Sequence, residues 1–485
     1  MNQRFERWTK RFRTTRKECG LQVPAFPEIM SGLMYMDADT IVASATPAAE
    51  SALAIIRLSG PACARLSALF AGGRPVEERK SFYGAYRTLD GQVLDRCVFL
   101  PYAEGASYTG EAMLEINCHG NPLIVRQVID DLLARGCRAA QAGEFTRRAF
   151  LNGRMDLTQA EAVQDIISAR SESALEAARR QLDGSVGKAV NALLERLLRI
   201  LAYTEAYIDF PEEDLPPESS EGPVAQLIAL QNDAKSLIAT APYSAMLREG
   251  ACTVIAGLPN AGKSSLLNVL LGEDRAIVSA EPGTTRDYIE ARLLVGRHLL
   301  RVVDTAGLRE GGCEVEHKGI EKSLAQIGRA DLVLLVVDST LAPPTLPFRV
   351  ETLRKSAGLI IVENKCDLPA SADLSAWMPQ TRHVRISALD ARGIDALRGE
   401  ITAALDATYK APGQDEVLVG ARHAGALRVM SDNIALAIDK MRDGEPPELA
   451  ASDLRAALGA LEEIVGRVDS ERVLDLVFST FCIGK

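Results

Sequence analysis

The sequence predicts a multidomain chain in which an α/β P-loop domain is inserted into an all-α helical domain, with an α+β domain ahead of both. Three observations carry that prediction. At 485 residues the chain is too long for one hydrophobic core. The stretch Gly257-Leu-Pro-Asn-Ala-Gly-Lys-Ser-Ser265 lies between a short apolar run and a helical one. Helical periodicity flanks the alternating segment that contains it, before residue 249 and again after residue 410. Such flanks need each other to bury their apolar stripes, so they read as one interrupted domain.

Composition narrows the class. With 47% hydrophobic and 25% charged residues the chain is an ordinary globular one. Its 65 acidic against 55 basic residues, net −10, give no global attraction to nucleic acid, so an RNA partner needs a local basic patch. Nine cysteines with no C-x-x-C pair, and five histidines in no ligand cluster, read as a reducing compartment without disulfide framework or zinc site. The longest apolar run, Leu332 to Val337, is too short to span a bilayer, and no membrane partner is expected.

Residues 1–36 are a basic extension in which Arg4, Arg7, Lys10, Arg11, Arg13, Arg16 and Lys17 make a basic stretch opposed there by Glu6 and Glu18. They read as a disordered tail, or as sequence upstream of a start at Met34 or Met36; a transit peptide is the alternative. The expected location is cytoplasmic, or mitochondrial if the extension is a transit peptide. Residues 37–155 alternate strands (Thr40–Ala43, Ala52–Ile56, Val98–Leu100, Met113–Ile116) with a helix over Pro122–Arg135. Arg57 at the end of one apolar strand and Glu115 inside another stand out, although a charge in a strand commonly just faces solvent.

Residues 156–248 form the first helical part: one helix over Asp156–Asp183, a second over Val186–Tyr207, a break at the acidic, proline-containing Phe210–Pro217, and a third over Pro223–Thr240. Residues 249–410 are the inserted domain. Residues 411–485 return to helix over Ala421–Met441, Pro447–Val465 and Glu471–Phe478 and are assigned to the helical domain as its second part.

The inserted domain carries the chemistry. The run Cys252–Ala256 reads as a buried strand and Leu266–Leu271 as a helix, the context in which a glycine-rich loop wraps phosphate. In Asn260, Ala261, Gly262, Lys263, Ser264 and Ser265 the backbone amides face the anion; Lys263 reaches the β- and γ-phosphates, and the Ser264 hydroxyl holds Mg²⁺. Gly283, Thr284 and Thr285 lie where a switch loop belongs. The strand His298–Val303 delivers Asp304, Thr305, Ala306 and Gly307, with Asp304 placed to hold the Mg²⁺ shell. A further strand, Leu359–Val362, delivers Asn364, Lys365 and Asp367, and strand His383–Ile386 delivers Ser387 and Ala388. The Asp367 carboxylate accepts from both the ring N–H and the exocyclic amine of guanine; adenine offers an acceptor and nothing at these positions, and is rejected. Five motifs in order make GTP the expected substrate. Leu308 stands where Ras-type proteins place a water-orienting glutamine, leaving Arg309, Glu310, Glu314, Glu316 and Glu321 as local candidates for that work.

Beyond these motifs, Asp39-Thr-Ile-Val-Ala-x-Ala-Thr-Pro47, Ile56-Arg-Leu-Ser-Gly60, Tyr108-Thr-Gly-Glu111, Gly143-Glu-Phe-Thr-x-Arg-Ala-Phe-Leu-Asn152 and Phe481-Cys-Ile-Gly-Lys485 resemble the tRNA-modification GTPase MnmE (TrmE) family, in order from about Asp37 to the last residue. The resemblance implies a folate-binding-type, dimerising N-terminal domain that takes a tetrahydrofolate derivative (5-formyl or 5,10-methylene). The matching positions are Arg57, Glu115, Arg154 and Lys485, and Cys482 matches the family's C-terminal cysteine. It also implies a K⁺ ion held by the Asn260 side chain and the carbonyls of Ser279, Glu281 and Thr284, Mg²⁺ held by Ser264 and Thr285, and Glu316 orienting water. The family's partners would be a second copy, an FAD-dependent MnmG-type protein and tRNA. After Thr-Pro the chain departs from the family's glycine-rich turn with Ala48-Ala-Glu-Ser-Ala52. A GTP-switch assembly factor acting on ribosomes shares the nucleotide motifs but not this N-terminal domain or the terminal Cys-x-Gly-Lys.

Overall fold

A computed structural model describes residues 39–209, 222–273, 290–304, 328, 330–344, 358–370, 374, 377–409, 413, 416–467, 471–482 and 484. The chain divides into two compact units, Met1–Arg154 with Arg472–Lys485, and Met155–Glu471.

The first unit runs β1 (Ile41–Ser44), β2 (Ser51–Ser59), α1 (Ala62–Phe70), β3 (Phe82–Arg87), β4 (Val93–Tyr102), β5 (Met113–Gly120), α2 (Pro122–Ala134), β6 (Arg138–Ala139) and α3 (Glu144–Leu151). Its six strands form one sheet, β3-β4-β5-β2-β1-β6, antiparallel except for the β1–β6 pair. Ile56, Leu58, Leu114 and Ile116 point to one face and bury there with Phe99, Leu66, Val128 and Leu132. Helix α2 starts where the Asn121 side chain accepts from Leu123 N (2.9 Å), with Pro122 in the first turn where its missing N–H costs nothing. Side chains alternate along a strand, so burying Ile56, Leu58, Leu114 and Ile116 sends Arg57 and Glu115 to the opposite face. The β2–β5 register sets these two directly across from each other.

The second unit begins with α4 (Leu157–Ser168), α5 (Glu172–Leu182), α6 (Ser185–Asp209), α7 (Pro223–Ala239) and α8 (Ala241–Glu249). The single helix expected over Asp156–Asp183 is two. Ser171 breaks it by accepting from Ala174 N (3.2 Å), so its hydroxyl satisfies a first-turn donor of α5 without any Gly or Pro. Asp156 caps α4 through Gln159 N (2.9 Å), and the Gln159 side chain accepts from Asp156 N (3.0 Å). The acidic break at Phe210–Pro217 lies outside the described residues.

The nucleotide-domain elements follow: β7 (Ala251–Ala256), α9 (Lys263–Glu273), β8 (Glu290–Val295), β9 (His298–Asp304), β10 (Leu332–Asp338), β11 (Leu359–Asn364), β12 (Arg382–Arg385) and α10 (Ile394–Thr408). Their sheet order is β12-β11-β10-β7-β9-β8, parallel except for the β8–β9 hairpin. A parallel sheet is covered on both faces, which is why Leu332 to Val337 are all buried and apolar. Helices α11 (Ala421–Asp443) and α12 (Pro447–Val465) complete the unit. Val186 and Leu197 of α6, Leu230 of α7, Leu427 and Ile434 of α11, and Leu454 and Leu461 of α12 share one core, so both helical flanks bury their stripes together. The two chain crossings into the nucleotide domain are tied beside each other: the Thr240 hydroxyl donates to Val417 O (3.2 Å) and accepts from Val419 N (3.1 Å).

The final helix, α13 (Glu471–Ser479), departs from expectation. Residues 472–485 belong with the N-terminal unit rather than with the second helical part. Asp475 pairs with Arg147 at 3.3 Å, and Leu474, Val477, Phe478 and Phe481 are buried. At Gly484 (φ +97°) the backbone comes so close to Ser44 O that any Cβ would overlap it, so only glycine closes the tail onto the end of β1.

Candidate functional site

The phosphate-binding loop joins β7 to α9 at the middle of the parallel sheet, between β10 and β9. In open α/β sheets ligands bind beyond the carboxyl ends of the strands, and this loop lies there. Asn260 adopts a left-handed φ of 63° and is exposed, and Ala261 is buried. At Gly262 (φ +95°) a Cβ would overlap the Asn364 amide nitrogen. The Lys263 ammonium bridges back over the loop to Gly257 O (3.0 Å) and Leu258 O (2.9 Å). Ser264 and Ser265 are exposed in the first turn of α9, where helix amides and the macrodipole favour an anion.

Asn364 ties this loop to the base-side loops. It is 3% exposed, donates to Ala261 O (2.8 Å), and accepts from Ala388 N (3.0 Å). Three loops from the ends of β7, β11 and β12 are therefore held in one arrangement by one amide. Lys365 follows in a left-handed conformation (φ 66°), and its ammonium pairs with Asp338 at 2.5 Å. Asp367 is exposed in the turn after it, closed by Leu368 N donating to Lys365 O (3.0 Å). Ser387 is buried and its hydroxyl accepts from Asp390 N (3.4 Å). A glycine-rich loop at a helix N-terminus, tied through Asn364 to a turn with an exposed carboxylate, suits a phosphate tail at one end and a donor-rich base edge at the other.

Asp304 closes β9 directly beside Ile255 of β7, which sets its backbone next to the loop. Ser279, Glu281, Gly283, Thr284, Thr285, Thr305, Ala306, Gly307, Arg309, Glu316 and Lys485 lie outside the described residues, as do Leu308, Glu310, Glu314 and Glu321. No group of three or more metal-ligating His, Cys, Asp or Glu side chains occurs among the described residues.

In the N-terminal unit, Arg57 and Glu115 form a pair across the β2–β5 register. Arg57 donates twice to Glu115 Oε1, from Nε at 3.0 Å and Nη2 at 2.8 Å. The other oxygen, Oε2, accepts from the Tyr102 hydroxyl at 3.3 Å. The Arg57 guanidinium also lies 5.7 Å and 5.9 Å from the ring centroids of Tyr108 and Phe145, and 3.5 Å from Gly484 O. A carboxylate offers about four acceptor positions, and Glu115 uses three of them here, two at Oε1 and one at Oε2. Arg154 is exposed and donates to Gly105 O (3.2 Å). Cys482 is exposed, and its carbonyl accepts from Gly143 N at 3.5 Å. Sequence reasoning passed over Asp338, Tyr102 and Phe145. For Asp338 a signal existed, an acidic residue closing the otherwise apolar run from Leu332 to Val337.

Fold and site together define a P-loop nucleotide-binding protein of the GTPase class joined to a separate N-terminal α+β domain. Residues 157–482 match the family described as MnmE helical domain, and residues 40–154 the GTP-binding protein TrmE N-terminus. The chain is 49% identical over 453 residues, 92% of this chain and 99% of the relative, to the tRNA modification GTPase MnmE of Opitutus terrae. It is 42% identical over 453 residues, with the same coverage, to the tRNA modification GTPase MnmE of Akkermansia muciniphila. The crystal structure of the T. maritima FeoB G domain aligns at 26% identity with a TM-score of 0.26, covering 32% of this chain and 98% of that one. The chain belongs to the MnmE family of tRNA modification GTPases.

Proposed function

We propose that the chain hydrolyses GTP in support of a modification at C5 of the wobble uridine of certain tRNAs, an aminomethyl-type (carboxymethylaminomethyl) group. The observation that carries the nucleotide half is the Asn364 amide joining Ala261 and Ala388, because it unites phosphate loop and base-side loops beside an exposed Asp367. In this reading Lys263 and the loop amides hold the phosphates, Ser264 and Thr285 hold Mg²⁺, and Asp367 selects guanine. Asn260 with the carbonyls of Ser279, Glu281 and Thr284 holds K⁺, Glu316 orients the attacking water, and Arg309 stands beside it. Bound cations offset the charge that develops between the β- and γ-phosphates. Leu308 supports a cation-assisted mechanism, since leucine cannot orient water.

In the N-terminal unit Glu115 accepts from the pterin edge of a tetrahydrofolate, oriented by Arg57, while Arg154 and Lys485 pair with its carboxylates. The folate supplies the one-carbon unit. Cys482 serves the modification step, and an FAD-dependent MnmG-type partner completes the complex with a homodimer of this chain. Location is cytoplasmic. The Glu115 carboxylate, which has an acceptor position to spare beyond its three bonds, supports the folate reading, and the names of the relatives support the tRNA substrate.

One experiment tests the nucleotide half. Wild type and Asp367→Asn are assayed with GTP and xanthosine triphosphate, in K⁺ and in Na⁺ at equal ionic strength. Wild type should turn over GTP far faster in K⁺. Asp367→Asn should lose GTP affinity by on the order of a hundredfold and gain activity with xanthosine triphosphate, whose carbonyl replaces the amine. Equal rates in both salts would remove the K⁺ mechanism, and an unchanged base preference would remove Asp367 as the reader.

A further inference from the structure

Asp338 and Lys365 form an ion pair beside the base-reading carboxylate. Asp338 closes β10, and the parallel register sets it directly beside Asn364 at the end of β11. Its carboxylate is fixed from two sides. Oδ2 pairs with the Lys365 ammonium at 2.5 Å, and Oδ1 accepts from both Thr340 N (2.9 Å) and the Thr340 hydroxyl (2.6 Å). The Asp338 side chain is 12% exposed and that of Lys365 34%, so the pair is partly shielded from water. Burial raises the Asp338 carboxyl, but the bonds from Lys365 and Thr340 outweigh it and hold the group below its ordinary value.

Lys365 and Asp367 are two residues apart within one hydrogen-bonded turn, which keeps the Asp367 carboxylate within reach of a four-carbon ammonium stem. A lysine left unanchored there would pair with Asp367 and mask the acceptor that the base requires. We propose that Asp338 is a specificity-determining positioning residue: it holds the Lys365 ammonium away from Asp367, leaving that carboxylate open to the guanine edge. The inference rests on the guanine-reading role assigned above to Asp367. Its consequence is that base discrimination depends on a residue with no place at the base.

The test uses the full chain and two nucleotides, GDP and inosine diphosphate, which lacks the exocyclic amine. Their affinities are measured by calorimetry at low and high ionic strength. Asp338→Ala should weaken GDP binding by about tenfold and shrink the preference for GDP over inosine diphosphate. Added salt should restore part of that preference, because it screens the misdirected Lys365–Asp367 pair. Asp338→Ala combined with Lys365→Met removes the ammonium and should recover the preference that the single variant loses. Asp338→Asn, which keeps the Thr340 bonds, should behave like Asp338→Ala and serves if the alanine variant fails to fold.

An unchanged preference in Asp338→Asn overturns the proposal. So does an equal loss for both nucleotides with no recovery by salt or by Lys365→Met, since that is a strand-end brace and nothing more. If Asp367→Asn itself leaves base choice unchanged, the guanine reading falls and this inference with it. If Asp367→Asn relaxes base choice and Asp338→Asn does not, only this inference falls.

Discussion

Two carboxylates in this chain are almost equally exposed, 16% for Glu115 and 14% for Glu161, yet their surroundings differ in kind. Glu161 on α4 lies between two basic side chains: Oε1 accepts from Arg422 Nε at 2.6 Å, and Oε2 meets His423 Nε2 at 2.7 Å. Those partners are themselves committed. Arg422 donates to Glu463 O (3.1 Å) and Ile464 O (3.0 Å) at the end of α12, and His423 Nδ1 accepts from Gly420 N (3.3 Å). Glu115 accepts twice from Arg57 at one oxygen and once from the Tyr102 hydroxyl at the other, and Arg57 itself has an aromatic and carbonyl surround. Exposure does not separate a structural carboxylate from one available to a ligand. The number of basic side chains it bridges does: Glu161 lies between Arg422 and His423, whereas Glu115 meets Arg57 and a tyrosine hydroxyl.

The largest expected effect falls on Glu161, the carboxylate between two basic partners. Glu161→Ala leaves Arg422 and a fully buried His423 without their carboxylate, and should destabilise the second unit by about 3–5 kcal/mol in urea unfolding. The same group gives a pH signature. Burial pushes the Glu161 carboxyl up, but His423 and Arg422 outweigh it and lower it from 4.5 to about 2. A depressed folded value means the contribution is complete above about pH 4.5 and is lost as pH falls toward about 2. Nearby Asp165, raised by burial despite Arg248, acts in the opposite sense. Wild type should therefore lose more stability than Glu161→Gln on acidification from about pH 5 to about pH 3. Parallel curves would mean that Glu161 is no strut.

Glu115→Ala should cost only about 1 kcal/mol, because Arg57 keeps Gly484 O and the faces of Tyr108 and Phe145. Folate binding should be lost and GTP hydrolysis nearly intact. A destabilisation as large as that of Glu161→Ala would erase the distinction between the two carboxylates, and normal folate binding would remove Glu115 from the site. The smallest expected effect is that of Cys482→Ser, an exchange at an exposed position. Stability, folate and GTP binding should stay as in wild type while wobble-uridine modification in cells, read by nucleoside mass spectrometry, falls. Full modification would place the chemistry outside this cysteine.

Much of this was legible in the sequence, for identifiable reasons. The parallel strands β7 and β11 are built on apolar runs, and β7 leads straight into the glycine-rich loop while β11 ends on Asn364, so strand and site announce one another. Arg57 and Glu115 stood out because a charge inside an apolar strand interrupts its pattern. Glu161, Arg422 and His423 gave no such signal. On amphipathic helices a polar residue at a face boundary resembles a solvated one, and the partners here are 261 residues apart. The break at Ser171 was missed because a hydroxyl cap needs no Gly or Pro.

What the sequence alone determined is whatever rests on local pattern: the strand–loop–helix at Gly257–Ser265, the parallel strands around it, and the helical flanks. Tertiary structure alone decided which side chains meet. It assigned residues 472–485 to the N-terminal unit, because the buried face of α13 and the contact of Gly484 with Ser44 depend on a surface built more than 300 residues earlier. It also turned Asp338 from a strand end into the anchor of Lys365, through a parallel register that no one strand encodes. Periodicity is a property of one element, whereas register and docking are free-energy minima of pairs, and only the folded chain contains the pairs.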